Sequence, residues 1–318
     1  MLTAGVDIGG TKLLAVAATD KGEIVAQRRQ ATADGPDAVL VAITAVVADL
    51  MAAEPGIAAL GVGLPGLVDL DGVVHYAPNL PGFVGVAARE RLAASCSLPV
   101  VVDNDANVAA LGEVIHGAGR GYREVLVVTL GTGIGGGLVF NGTVQRGGFG
   151  LAAEIGHFTV DPAGPLCACG QRGHWEAIAS GSALGRRARE WAGRGDAPGV
   201  LARAGGNVEA VTGHHVGAAA EAGEIDGLAI LAEHARAVAV GLGGLVNILD
   251  PEIVVISGGL IELGDHLLGP LRAVLPEYVE AAALRTVPPV LAATLGEYAG
   301  AVGAAALART LLPPPPNS

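Results

Sequence analysis

A chain of 318 residues that is 51% apolar and 16% charged is globular rather than disordered, and is long enough for one large domain or two ordinary ones. Its net charge of −12, with no Lys/Arg-rich run, argues against a nucleic-acid-facing surface, although backbone amides could still hold a small anion. Aromatic residues make up only 3%, so the core is expected to be built from Val, Leu, Ile and Ala.

The opening residues, "MLTAGVDIGGTK", lack a basic segment followed by an apolar stretch, so no signal peptide is expected. "AGVDIGGTKLLAVAATDKGEIVAQRR" reads as a strand reaching Asp7, a glycine turn, a second strand, a "DKGE" turn and a third strand. Residues 36–53 carry Val39, Ile43, Val46, Val47 and Leu50 at helical spacing behind Pro36. "ALGVGLP" is a short strand, and "LPVVVDNDANVAALGEV" is a buried strand, a turn and a helix from about Asn104. "EVLVVTLGTGIGGGLVFNGTVQRGG" then repeats the opening order, with an Asn141-Gly142 hairpin turn, which points to an internal duplication. A long apolar helix over 224–249, a strand "PEIVVISGG" and a closing helix over 299–312 follow, and the tail "PPPPNS" is expected to be disordered. Strands alternating with helices predict an α/β fold with mixed sheets. The longest uncharged apolar runs are too short and too Gly-rich for a membrane span. Cys96, Cys167 and Cys169 provide no disulfide framework, so a soluble cytoplasmic protein is expected.

Several stretches carry chemistry. Glycine lets a backbone approach phosphate oxygens closely, and "DIGGTK" adds an acid suited to a hydrated Mg²⁺, a hydroxyl and a lysine; a plain glycine-rich β-turn would read the same way. "GTGIGG" fits G-x-G-x-x-G at Gly131, Gly133 and Gly136, but a strand follows it where a dinucleotide fold needs a helix. Two glycine turns and a late strand ending in "SGG" suit a nucleotide instead. Asp103, Asn104 and Asp105 stand where a strand gives way to a helix; an acid at such a start is often only its N-cap, and two acids with an Asn leave one acid for other work. His157, Cys167, Cys169 and His174 lie within eighteen residues of a Cys-poor chain. They fit a tetrahedral structural zinc, the alternative being a polar loop with incidental residues. Glu154 and Glu176 bracket this cluster and, with His157, could face a polyhydroxy ligand. Trp175 and Trp191 read as packing residues.

Taken together, "DIGGTK", "GLPGLVD", "APNLPGF", "DNDANVAALGE", "LGTGIGGG", "AAEIGH", "CACGQRGHWE" and "ISGG" resemble the ROK family of sugar kinases and repressors, in family order over nearly the whole chain, and its bacterial glucokinase branch most. The resemblance implies an actin-like, hexokinase-like (ribonuclease H-like) two-lobed ATPase fold with nucleotide and sugar in a cleft. One lobe would comprise residues 1–112 plus 299–318, the other 113–298 with the zinc loop. It implies ATP-dependent phosphorylation of glucose at O6 with Mg²⁺, by a homo-oligomer (dimer or tetramer) that binds neither nucleic acid nor membrane. N-acetylmannosamine or N-acetylglucosamine kinase activity is the alternative. A sugar-responsive repressor would need an added helix-turn-helix, for which the first strand leaves no room. Carried over by position, Asp105 resembles the catalytic base, and Asn79, Asn104, Glu154, His157 and Glu176 match sugar-hydroxyl positions. Asp7 matches a Mg²⁺ position; Gly9, Gly10, Thr11, Lys12, Thr132 and Gly133 match the phosphate loops; Gly258 and Gly259 match the adenosine side. In one respect the chain departs: His174 stands where the family usually has a zinc-binding cysteine.

Overall fold

Apolar runs at the amino terminus form β1 (Leu2–Ile8) and β2 (Lys12–Ala18), an antiparallel pair in which Asp7 faces Leu14, and β3 (Ile24–Ala31) adds to β2 at the edge. The structure, a computed structural model, describes residues 1–313, so all of the expected disordered tail except Pro313 lies outside the described residues. α1 (Pro36–Ala53) crosses to β4 (Ile57–Leu64), which pairs parallel with β1. A small sheet of β5 (Leu67–Val68), β6 (Val73–Tyr76) and β7 (Val86–Ala87) and the helix α2 (Ala88–Ser95) lead to β8 (Val100–Asn104), parallel to β4. α3 (Asp105–His116) follows directly.

The second sheet is built from β9 (Glu124–Leu130), β10 (Ile134–Phe140) and β11 (Thr143–Val144). The helices α4 (Trp175–Ala179), α5 (Gly181–Arg194), α6 (Pro198–Arg203), α7 (Gly213–Glu221) and α8 (Ile225–Leu249) come next. β12 (Ile253–Ser257), α9 (Asp265–Val274), β13 (Val290–Ala292) and α10 (Ala299–Ala308) complete the chain. Strand order is β3-β2-β1-β4-β8 in one sheet and β11-β10-β9-β12-β13 in the other. The same order twice, each beginning with a meander whose first turn is glycine-rich, is the duplication read from the sequence.

The chain divides into two compact units. The first holds Met1–Leu126, Gly137–Ala153 and the segment from Ala293; the second holds Val127–Gly136 and Glu154–Ala292. In the first unit α1 lays Val39, Ile43, Val47 and Leu50 on the sheet. Each such burial contributes about 1.5–3 kcal/mol, so Leu50→Ala would cost about 2–5 kcal/mol with its cavity. On the same unit α10, "AGAVGAAALA", is buried along its whole length. Its close approach depends on glycine in the strands: a Cβ on Gly5 would meet the Ala301 carbonyl at 1.9 Å, and one on Gly61 the Ala304 carbonyl at 2.0 Å. In the second unit, Leu184, Val200, Val216, Ile230 and Leu231 form a core among α5, α6, α7 and α8. α1 and α8 are long and apolar enough to cross a bilayer by composition, yet each contributes a buried face to its unit's core.

Candidate active site

In the first unit three parallel strands end side by side: Asp7 of β1 pairs with Gly63 of β4, and Gly63 with Asp103 of β8. The carboxyl edge of parallel strands is where α/β folds place their chemistry. The three polar residues at the end of β8 divide their tasks. Asp103 is buried, receives Arg146 Nε on Oδ2 (2.7 Å), and accepts the Asn104 N–H and Asn107 Nδ2 on Oδ1. Asn104 caps α3, its Oδ1 accepting the N–H groups of Ala106 and Asn107, while its Nδ2 donates to the Gly66 carbonyl (2.9 Å). So the cap is the asparagine, Asp103 is held by an arginine, and Asp105 is the acid left over. Among the described residues no side chain hydrogen-bonds the Asp105 carboxylate; it takes backbone N–H groups alone, that of Ala106 and its own. Burial raises Asp105 to about 6. Asp7 is raised to about 7, chiefly by burial and next by the Asp105 charge, with Lys12 opposing. The Asp105 charge disfavours ionisation of Asp7, and a cation beside them would relieve this.

The first glycine turn closes with the Gly9 N–H on the Lys12 carbonyl (2.8 Å). Thr32 braces it, its Oγ1 donating to the Gly9 carbonyl and its N–H to that of Thr11. Asn79, exposed, lies with its carbonyl 3.3 Å from where a Gly10 Cβ would stand. Lys12 Nζ reaches Glu297 Oε2 at 2.8 Å.

In the second unit, the turn between β9 and β10 closes with the Gly131 N–H on the Gly133 carbonyl (3.0 Å). The start of α5 holds it: the Gly181 N–H donates to the Gly131 carbonyl (2.7 Å) and Ser182 Oγ to that of Thr132 (2.8 Å). These groups open a cleft of about 770 Å³, lined by Gly131, Thr132, Gly259, Leu260, Arg189, Thr212, His214 and Glu221 among others. This lies within the span of small-ligand sites, about 300–1,000 Å³. Gly258 is not among the lining residues; at φ 86° it packs against the Leu130 backbone. The sequence reading missed Gly181, Ser182, Arg189, His214 and Glu221. A signal was present in "SGSALG", where Ser180 caps α5 by accepting the Ala183 N–H.

Beside this turn, the Glu176 carboxylate links two motifs. Its Oε2 accepts the Ile134 N–H (3.0 Å), and its Oε1 lies 3.6 Å from Cys167 Sγ. Trp175 holds α4 in place: fully buried, it donates Nε1–H to the Ala237 carbonyl of α8 (3.2 Å). Glu154 is exposed and accepts the His157 N–H on its carbonyl in a short 3-10 turn against Ile134.

The ligand atoms of His157, Cys167, Cys169 and His174 lie within 4.8 Å of one another. Cys169 Sγ is 3.2 Å from His174 Nδ1, and Cys167 Sγ is 3.8 Å from His157 Nδ1. A tetrahedral Zn²⁺ with two thiolates and two imidazoles has edges of about 3.3–3.8 Å; the two Cys–His pairs come close to these edges, and the wider span of the set, up to 4.8 Å, would have to contract slightly around an ion. The loop closes on itself, with the Cys167 N–H on the Gln171 carbonyl and the Gly170 N–H on the Cys167 carbonyl. Burial pushes the Cys167 thiol up. Both imidazoles turn Nδ1 toward the thiols, which leaves His157 Nε2 on the side away from them.

The sequence profile of the ROK family matches residues 3–311. The chain is 40% identical over 311 residues to the glucokinase of Streptomyces coelicolor, covering 97% of this chain and 98% of that protein. It is 36% identical over 306 residues to the glucokinase of Thermotoga maritima, covering 95% and 96%. A ROK family glucokinase from Streptomyces griseus, solved in complex with glucose and AMPPNP, superposes with a TM-score of 0.84 at 39% identity, covering 98% of this chain and all of that one.

Proposed function

Because the chain belongs to the ROK family, we propose that it is an ATP-dependent glucokinase, transferring the γ-phosphoryl group of ATP to O6 of glucose. The observation that carries this reading in the chain's own geometry is Asp105. It is an acid at the carboxyl edge of β8 that neither caps its helix nor pairs with a side chain among the described residues. With a pKa near 6 it is mostly ionised at neutral pH, yet basic enough to take the hydroxyl proton as the O6–phosphorus bond forms. Phosphoryl transfer passes through a loose transition state, so positioning and charge neutralisation carry most of the catalysis.

The remaining residues supply that positioning. Backbone N–H groups of Gly9, Gly10 and Thr11, with the Lys12 ammonium, and the turn at Thr132 and Gly133 hold donor phosphates. Asp7 would face Mg²⁺, whose charge would favour the ionised form of its raised carboxyl. The cleft beside Gly259 takes the adenosine, with Gly258 setting the backbone path. Asn79, the free Nδ2–H of Asn104, Glu154, His157 Nε2 and Glu176 take sugar hydroxyls. His157, Cys167, Cys169 and His174 would hold one Zn²⁺; with four protein ligands it would serve structure rather than chemistry. Bound there, it would fix the His157 ring and the backbone before Glu176.

A coupled assay of ADP release over hexoses and N-acetylhexosamines tests the reading. Glucose is expected to give the highest kcat/KM, with glucose 6-phosphate as product. Higher kcat/KM on N-acetylmannosamine or N-acetylglucosamine, or no sugar-dependent ADP release, would overturn it.

A further inference from the structure

Two glutamates, Glu113 and Glu297, are joined through one short segment of the first unit. Glu113 lies on α3, about two helical turns beyond Asp105, and is fully buried. A buried carboxylate is costly unless it is hydrogen-bonded, and this one receives backbone N–H groups from two directions. Ala118 donates to Oε2 (2.9 Å), Leu295 to Oε1 (2.8 Å), and Thr294 lies 3.1 Å from both oxygens. Glu113 thus clamps the backbone at residues 294–295 to the helix that begins with Asp105.

That backbone continues into a 3-10 turn, Gly296–Tyr298, and then into α10. Glu297, on the turn, holds Lys12 Nζ at 2.8 Å and also receives the Arg29 guanidinium. At the next step Gly300 brings its Cα against the Asp7 carboxylate, whose Oδ2 stands 2.6 Å from where a Cβ would be. Residues 294–300 therefore touch Glu113, Lys12 and Asp7 in turn. The Glu297–Lys12 pair is exposed, and exposed ion pairs add little to stability. What the pair does is fix the direction of a long, flexible ammonium side chain.

We propose that Glu113 is a positioning residue: by clamping residues 294–295 it sets where Glu297 holds Lys12, and so aims the Lys12 ammonium at the donor phosphates. This rests on Lys12 contacting those phosphates. The charge and shape of Glu113 both matter, because an amide in its place offers one acceptor oxygen and turns an NH₂ toward backbone N–H groups.

The test is calorimetric affinity for MgATP and for glucose in the full chain, with KM and kcat, for Glu113→Gln, Glu297→Gln, the double variant and Lys12→Ala. Each single glutamate variant is expected to weaken MgATP binding about fivefold or more while glucose affinity stays within about twofold. The double variant should be no weaker than the poorer single one, since both act on the same lysine. Additive losses in the double variant, unchanged MgATP affinity in Glu297→Gln, or a lowered melting temperature with unchanged affinities would overturn the proposal. If Glu113→Gln does not fold, Glu113→Asp replaces it in the same cycle. Lys12→Ala tests the underlying reading separately: retained MgATP affinity there would remove Lys12 from the phosphates, whatever the glutamate variants do.

Discussion

Gly133→Ala, although it lies in the turn proposed to hold donor phosphates, probes Glu176 through glucose affinity. A Cβ at position 133 would stand 2.2 Å from Glu176 Oε2, and ordinary contact requires the carboxylate to retreat by roughly 1 Å. That oxygen accepts the Ile134 N–H at 3.0 Å, so the retreat carries the pair out of hydrogen-bond range. The atom that moves is the free end of a flexible side chain, so the fold and the zinc ligands should be undisturbed. A hydrogen bond to a charged group is worth about 1.5–3 kcal/mol, which corresponds to about 10- to 150-fold in affinity if Glu176 must be in place for the sugar. Calorimetric titration of glucose into the Gly133→Ala variant should show a Kd raised by about tenfold or more, with zinc content and melting temperature near wild type. A glucose Kd within twofold of wild type would mean that Glu176 is not a sugar ligand and serves only to join the zinc loop to the turn at 131–133.

Metal analysis of protein never exposed to chelator should find one zinc per chain; His174→Cys should retain it and His174→Ala should weaken it, whereas full retention by His174→Ala would remove that residue from the ligand set. Because Asp7 is raised from 3.8 to about 7 on folding, the folded state binds its proton more tightly. Its contribution is therefore present below about pH 4 and lost as pH rises toward 7. Melting temperature of the Mg²⁺- and nucleotide-free protein should fall across that window, and Asp7→Asn should flatten the fall. The acid limb of kcat/KM should have its midpoint near the Asp105 value of about 6 and not near 4.

Much of the frame was legible from local rules. Pro36 at the start of α1 and the apolar spacing behind it mark that helix at its observed bounds, and the two glycine turns betray the duplication because each sits between apolar strands of similar length. The division of labour among Asp103, Asn104 and Asp105 was not legible, because it is decided by Arg146, more than forty residues away. The same applies to Glu113 and Glu297, whose partners at residues 294–295 and Lys12 are remote in sequence. The clustering of His157, Cys167, Cys169 and His174 could be read because the four residues are neighbours in the chain. Which imidazole nitrogens face the thiols depends on ring orientation and needed the structure.

The central claim is that Asp105 takes the proton from the sugar hydroxyl during phosphoryl transfer. Turnover and glucose binding of Asp105→Asn test it most directly, since the amide keeps the shape and loses the base. The account predicts kcat lower by about 10²–10⁴-fold with the fold intact and glucose still bound. Near-wild-type turnover in that variant would contradict it and leave Asp105 as no more than the first residue of α3.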